Sequence, residues 1–182
     1  MLSKQARAYT EVIEASYHII NGVIVAIDPS VGSNSSMPGY AVYDAGKLVE
    51  SGVFNIAPSG TLPERLTKLN YFMRKLLDMY KPSVLIYEEI PPQRYGGGNA
   101  NAHASLLKSV GVILSISGPM HYVGFTPMSW KKMARSTYIK GDKEDAEEIG
   151  YIAYTQAIRL SEEKVKKTKS SYVSNKKKKD KE

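Results

Sequence analysis

The order of the segments predicts an α/β protein, a mixed five-stranded sheet flanked by helices. Three observations carry this. Short runs rich in β-branched and aromatic residues recur five times along the 182 residues. From residue 62 onward they alternate with stretches whose apolar residues repeat at helical spacing. Between them stand turns made of Gly, Pro, Asp, Asn and Ser.

Residues 1–20 place Val12, Ile13, Ala15, Ser16, Ile19 and Ile20 at helical spacing. "GVIVAID" is the first strand, and Pro29 stops it. "SVGSNSSMPG" is a polar loop. "YAVYDAGKLVESGVFNI" reads as a hairpin turning at Asp44 to Lys47, with Asp-Ala-Gly supplying the turn. "TLPERLTKLNYFMRKLLDMY" sets Leu62, Leu66, Leu69, Phe72, Met73 and Leu76 on one stripe, a helix closed by Lys81-Pro82. "SVLIYEEI" is a strand whose near-continuous apolar start suits a place covered on both faces. Residues Asn99 to Ile116 form a helix, "HYVGFTP" a strand, "MSWKKMARSTY" a short helix or turn, and "DKEDAEEIGYIAYTQAIRL" the last helix. No internal repeat interrupts this order.

Composition narrows the function classes. One core and a tail fit this length better than two domains. The absence of cysteine removes disulfides, thiolate metal sites and cysteine nucleophiles. No apolar run reaches the roughly 20 residues of a membrane span, and the polar N-terminus does not resemble a secretory signal, which together predict a soluble cytoplasmic protein with no membrane partner. The net charge of +7 is uneven: residues 164–182 hold nine lysines against Asp180 and Glu182, leaving 16 basic and 16 acidic groups before them. That tail has too few apolar groups to pack and is expected to be disordered. It could grip phosphates through counterion release, or serve only solubility.

The carboxylates carry the chemistry. Asp28 ends the first strand, and Glu88 and Glu89 end the central one, where alternation puts only one of them on the face of Ile86. Asp142 and Asp145 open the last helix, on the face of Ile149 and Ile152. Helix capping alone accounts for either aspartate taken singly. A carboxylate after "VLIY" has little structural reason to be there. Acids gathered without basic partners need a cation, and oxygen donors select a hard one, Mg²⁺ or Mn²⁺. Two such ions suit phosphodiester cleavage.

"AIDPS", "GYAVYDAGKLVESGVF", "VLIYEEIPP", "NANAHASLLKSVGVIL" and "KGDKEDAEEIG" together resemble the RuvC family of Holliday junction resolvases, especially its divergent phage-type members. The resemblance spans about Val23 to Leu160. It implies an RNase H-like nuclease domain over residues 22–162, preceded by a helical extension at 1–21 and followed by the basic tail at 163–182. It also implies a crossover junction endodeoxyribonuclease that resolves four-way or otherwise branched DNA in recombination and repair. Two Mg²⁺ ions, with Mn²⁺ as substitute, would be held by Asp28, Glu88, Asp142 and Asp145, Asp28 bridging both. The run "DKEDAEE" offers a second pair, Asp145 with Glu148. The first 20 residues have no counterpart in the family.

The family places a junction-contacting loop where this chain has "PPQRYGGGNA". Arg94 would pair with phosphate, Tyr95 stack on or wedge between bases, and Gly97 with its neighbours let backbone approach the strand. Lys108, Lys131, Lys132, Lys140 and Lys143 are further candidates for the DNA approach, Lys143 foremost because it adjoins the acidic helix. The small and apolar residues from Asn99 to Ile116 would pair two subunits in a homodimer, a symmetry suited to a four-way junction. His18, His103 and His121 are scattered and read as packing or surface residues, and Trp130 as a packing anchor.

Overall fold

The computed structural model describes residues 14–30, 37–56, 60–90, 100–116, 118–119, 121–134 and 141–179, with backbone alone at Met128, Asp142 and residues 164–179. Helix α1 is described over residues 14–21. It is followed by β1 (Val23–Asp28), β2 (Gly39–Asp44), β3 (Lys47–Val53), α2 (Leu62–Tyr80), β4 (Val84–Glu88), α3 (Ala100–Ser115), β5 (His121–Phe125), α4 (Pro127–Met133) and α5 (Asp142–Lys179). The five strands form one sheet in the order β3-β2-β1-β4-β5. β1, β2 and β3 pair antiparallel, whereas β4 and β5 join β1 in parallel. This is the mixed sheet that the segment order predicts.

Local chemistry explains the elements. The β2–β3 hairpin turns through Ala45 and Gly46, both at positive φ (44° and 80°), the two-residue geometry whose twist matches that of the strands. At the start of α2 the Glu64 carboxylate accepts from the Thr61 N–H at 2.8 Å, and a proline occupies the first turn, where its missing N–H costs nothing. Lys81 ends that helix in a left-handed conformation, its N–H donating to the Leu77 carbonyl. Pro82 follows.

Strand alternation divides the core into two layers. Ile24, Ala26, Ala41, Tyr43, Val84, Ile86, Val123 and Phe125 face α5, α4 and α1. Val25, Ile27, Val42 and Leu85 face α2 and α3, where they meet Leu69, Met73, Leu76, Leu77 and Ile113. Ala15 and Ile19 are fully buried in the α5 layer, so α1, which the family resemblance sets apart as an extension, packs into the core. The other departure is at the far end. Composition predicts a disordered tail from residue 163, but α5 continues to Lys179. Lysine and glutamate are good helix formers, and an Arg159–Glu163 pair at i,i+4 supports the helix where it leaves the body. Among the described residues no helix is long and apolar enough to cross a membrane.

α5 lies close over β1 and β2 because its inward stripe is small: Ala146, Gly150, Ala153 and Ala157. A Cβ on Gly150 would come within 2.5 Å of the Tyr43 ring and 3.2 Å of the Ala26 Cβ. Tyr43 cannot retreat without losing its hydroxyl bond to the Glu147 carbonyl, 2.7 Å long. Gly150→Val should therefore lower stability by about 1–3 kcal/mol through overpacking, read as a lower urea midpoint with an unchanged m-value.

Candidate metal centre

Parallel pairing sets Ile27 opposite Tyr87, so the next residues, Asp28 and Glu88, end neighbouring strands side by side. Ile24 and Ala26 in β1, like Val84 and Ile86 in β4, face α5, and alternation sends Asp28 and Glu88 the same way. Asp145 joins them from the first turn of α5, immediately before buried Ala146 and one helical turn before Ile149. Glu89 goes elsewhere. Its N–H donates to the Phe125 carbonyl, and its Cβ lies with Tyr87 beside Gly124, on the opposite face.

Each carboxylate is held. Asp28 is buried, 5% exposed, and its Oδ1 accepts from the Ser30 N–H at 3.2 Å and the Ser30 hydroxyl at 3.0 Å, a turn that ends the strand and fixes the side chain together. Glu88 Oε2 accepts from the indole Nε1–H of Trp130 at 2.8 Å. Trp130 is itself fully buried on α4, a helix capped by the Thr126 side chain. Asp145 donates its backbone N–H to the Gly141 carbonyl, while its side-chain Oδ1 is buried with no hydrogen-bond partner among the described residues.

Burial pushes the Glu88 carboxyl above its ordinary pKa; the Trp130 bond and the Lys131 charge pull it back, and the Asp145 charge pushes it up again. Burial likewise raises Asp145, against Lys131 and the Gly141 backbone. The charge of Asp145 thus opposes the ionisation of Glu88. Glu148, the alternative partner, has a charge that also acts on Tyr43.

The donor set suits a hard divalent cation: oxygen atoms alone, one of them buried and unpartnered, on carboxylates that repel one another. Among the described residues no three acidic or histidine side chains close into a finished cage. Asp142 opens α5 within reach of the same end by its place in the chain, but its side chain is not among those described. Asp28, Glu88 and Asp145 are the described residues that would hold such an ion by their chemistry, although no three described side chains are placed as a ready ligand group.

No protein-family model matches the chain, and no curated protein matches it by sequence. Solved structures do match. Thermus thermophilus RuvC superposes with a TM-score of 0.56 at 16% identity, over 76% of this chain and 96% of that one. Thermus thermophilus RuvC in complex with a Holliday junction substrate gives 0.55 at 14%, over 76% and 95%. This chain has the RuvC fold. The yeast mitochondrial Holliday junction resolvase Ydc2 shares it, with a TM-score of 0.55 at 13% identity over 88% and 90% of the two chains.

Within the RuvC fold, the DNA-contact candidates scatter. Arg94, Tyr95 and Gly97 lie outside the described residues. Lys108 is exposed on α3, behind the sheet from the acids. Lys132 is exposed on α4, and Lys143 reaches Glu147 at 3.5 Å. The lysine whose charge acts on the acids is Lys131, its Nζ 5.0 Å from the Trp130 ring centroid. Lys131 is among the lysines that the sequence offers for the DNA approach, Lys140 lies outside the described residues, and sequence reasoning does not assign the site roles of Ser30 and Trp130. For Trp130 a signal existed, since a buried indole N–H needs an acceptor. For Lys131 none separates it from Lys132.

A raised carboxyl pKa means that the folded state favours the proton. Its stabilising contribution is complete below the ordinary carboxyl range and is lost as pH rises through the raised value. Asp145→Asn should accordingly melt higher than the parent at pH 7, and the gap should close as pH falls below about 4. Mg²⁺ added at pH 7 should raise the melting temperature of the parent by linkage and leave Asp145→Asn unmoved, both read by differential scanning calorimetry.

Proposed function

We propose that this chain is a divalent-metal-dependent endonuclease acting on branched DNA, with the four-way junction as its preferred substrate. The observation that carries the reading is that Asp28 and Glu88 end the paired strands β1 and β4 while the charge of Asp145 on α5 acts on Glu88, in a fold shared with a RuvC solved on a Holliday junction substrate. Mg²⁺ or Mn²⁺ bound there, as a pair of ions with Asp142 as the fourth ligand, would supply charge for the scissile phosphate and a water acidic enough to attack near neutral pH. The protein's own part is positional. Ser30 fixes Asp28, Trp130 fixes Glu88, and α5 carries Asp145 against them with its oxygen already stripped of water. Lys131 adds a cation beside the acids that could receive a phosphate oxygen.

A homodimer is part of the same proposal, supported by α3. Leu107 and Leu114 are 50% and 41% exposed, and with Gly111, whose Cβ position faces open space, they fall at i, i+4 and i+7 on one stripe. Two copies of that stripe would meet across a two-fold axis. Leu107→Glu with Leu114→Glu should convert dimer to monomer in sedimentation velocity.

The decisive assay offers wild type and Asp28→Asn a synthetic four-way junction, matched duplex and flap, with Mg²⁺ or with EDTA. Paired nicks in the junction alone are expected. They should vanish with EDTA and fall by at least about a hundredfold in Asp28→Asn, while junction binding persists. Junction binding without nicks under any metal would make the protein a binding module, and equal cutting of flaps would make it a less selective nuclease.

A further inference from the structure

We propose that Trp130 is a positioning residue of the acidic site, holding Glu88 so that its carboxylate meets a divalent cation in one fixed orientation. The inference rests on the metal-binding reading above. A glutamate has three side-chain torsions, and at a strand end nothing in the backbone fixes the last of them. Here the indole N–H fixes it, donating to Oε2 at 2.8 Å. The donor is held in place, because Trp130 is fully buried in the core layer that also contains Val123, Phe125, Ala146 and Ile149. Its helix is pinned at the N-terminus, where Ser129 N–H and Thr126 Oγ1 close the cap at 3.3 Å. The bond is charge-assisted and sits at the edge of the core, where such bonds are strong. It commits Oε2 to the protein and leaves Oε1 as the oxygen to meet a cation.

Packing alone does not require this arrangement. A phenylalanine would fill most of the same space without bringing a donor to a carboxylate. The pairing also draws in Lys131, which follows in sequence and lies over the indole ring, so one turn of α4 supplies both the hydrogen bond to Glu88 and the positive charge beside it.

Trp130 is the single tryptophan of the chain, which makes the site directly readable. In the full-length protein without DNA, Mn²⁺, a paramagnetic quencher, should quench red-edge-excited emission saturably, and Mg²⁺ should restore it. Free Mn²⁺ counted by electron paramagnetic resonance then gives affinities for wild type, Trp130→Phe, Glu88→Gln and the double variant. Trp130→Phe should bind Mn²⁺ about 10-fold more weakly. In the Glu88→Gln background the same substitution should change affinity by less than about twofold, since it acts through Glu88. A loss of thermal stability from the missing ring should persist in both backgrounds and so separates packing from positioning.

Unchanged Mn²⁺ affinity in folded Trp130→Phe would overturn the proposal while leaving the metal site intact, as would an equal loss in both backgrounds. Should Trp130→Phe fail to fold, wild type still decides: Mn²⁺ bound without quenching places the ion away from Trp130 and overturns the proposal. Failure of wild type to bind Mn²⁺ at all would overturn the metal reading together with it.

Discussion

The parallel register between β1 and β4 is the constraint on which the acidic site depends. Side chains alternate along a strand, so a slip of one residue would exchange Asp28 for Ile27 and Glu88 for Tyr87 on the α5 face. The core prevents that slip. Val25, Ile27 and Leu85 are buried in one layer as completely as Ile24, Ala26, Val84 and Ile86 are in the other. With both faces covered, either slip would bring polar groups into apolar packing. The chemistry at the strand ends is therefore set by hydrophobic burial in the strand middles.

Holding those acids there has a cost. Carboxylates raised above their ordinary pKa oppose folding at neutral pH, and the structure offsets this locally rather than removing it. Ser30, Trp130 and Lys131 each compensate part of the charge, while one oxygen of Asp145 is left buried and unmatched. A core built for stability alone would place neutral residues at these positions. The small-residue stripe of α5 has the same logic, since only a helix lying close to the sheet can bring Asp145 level with Glu88.

The two sheet faces separate the work. The α5 face carries the acids, and α4 brings the indole and the lysine to them. The α2–α3 face is closed over its core and presents Leu107 and Leu114 outward. A contact made on one face can therefore be made without disturbing the other. The body is charge-balanced up to residue 163, so the net positive charge of the chain resides in the lysines that follow, most of them along the extension of α5.

The sequence by itself determined the five strands, the hairpin turn, the α2 boundaries and the candidacy of Asp28, Glu88 and Asp145, because these follow from residue periodicity and local backbone chemistry. It misjudged the tail, where a poverty of apolar residues argues against packing but not against helix. It also set α1 apart, although Ala15 and Ile19 belong to the core. Alternation alone leaves two answers for Glu88 and Glu89, and pairing against β1 sets Glu88 beside Asp28 at the strand ends. Trp130 at Glu88 and Lys131 beside both acids were decided by tertiary structure alone. They lie 42 residues and more from Glu88 along the chain, and no local pattern encodes a hydrogen bond that forms only when β5 has delivered α4 to the end of β4.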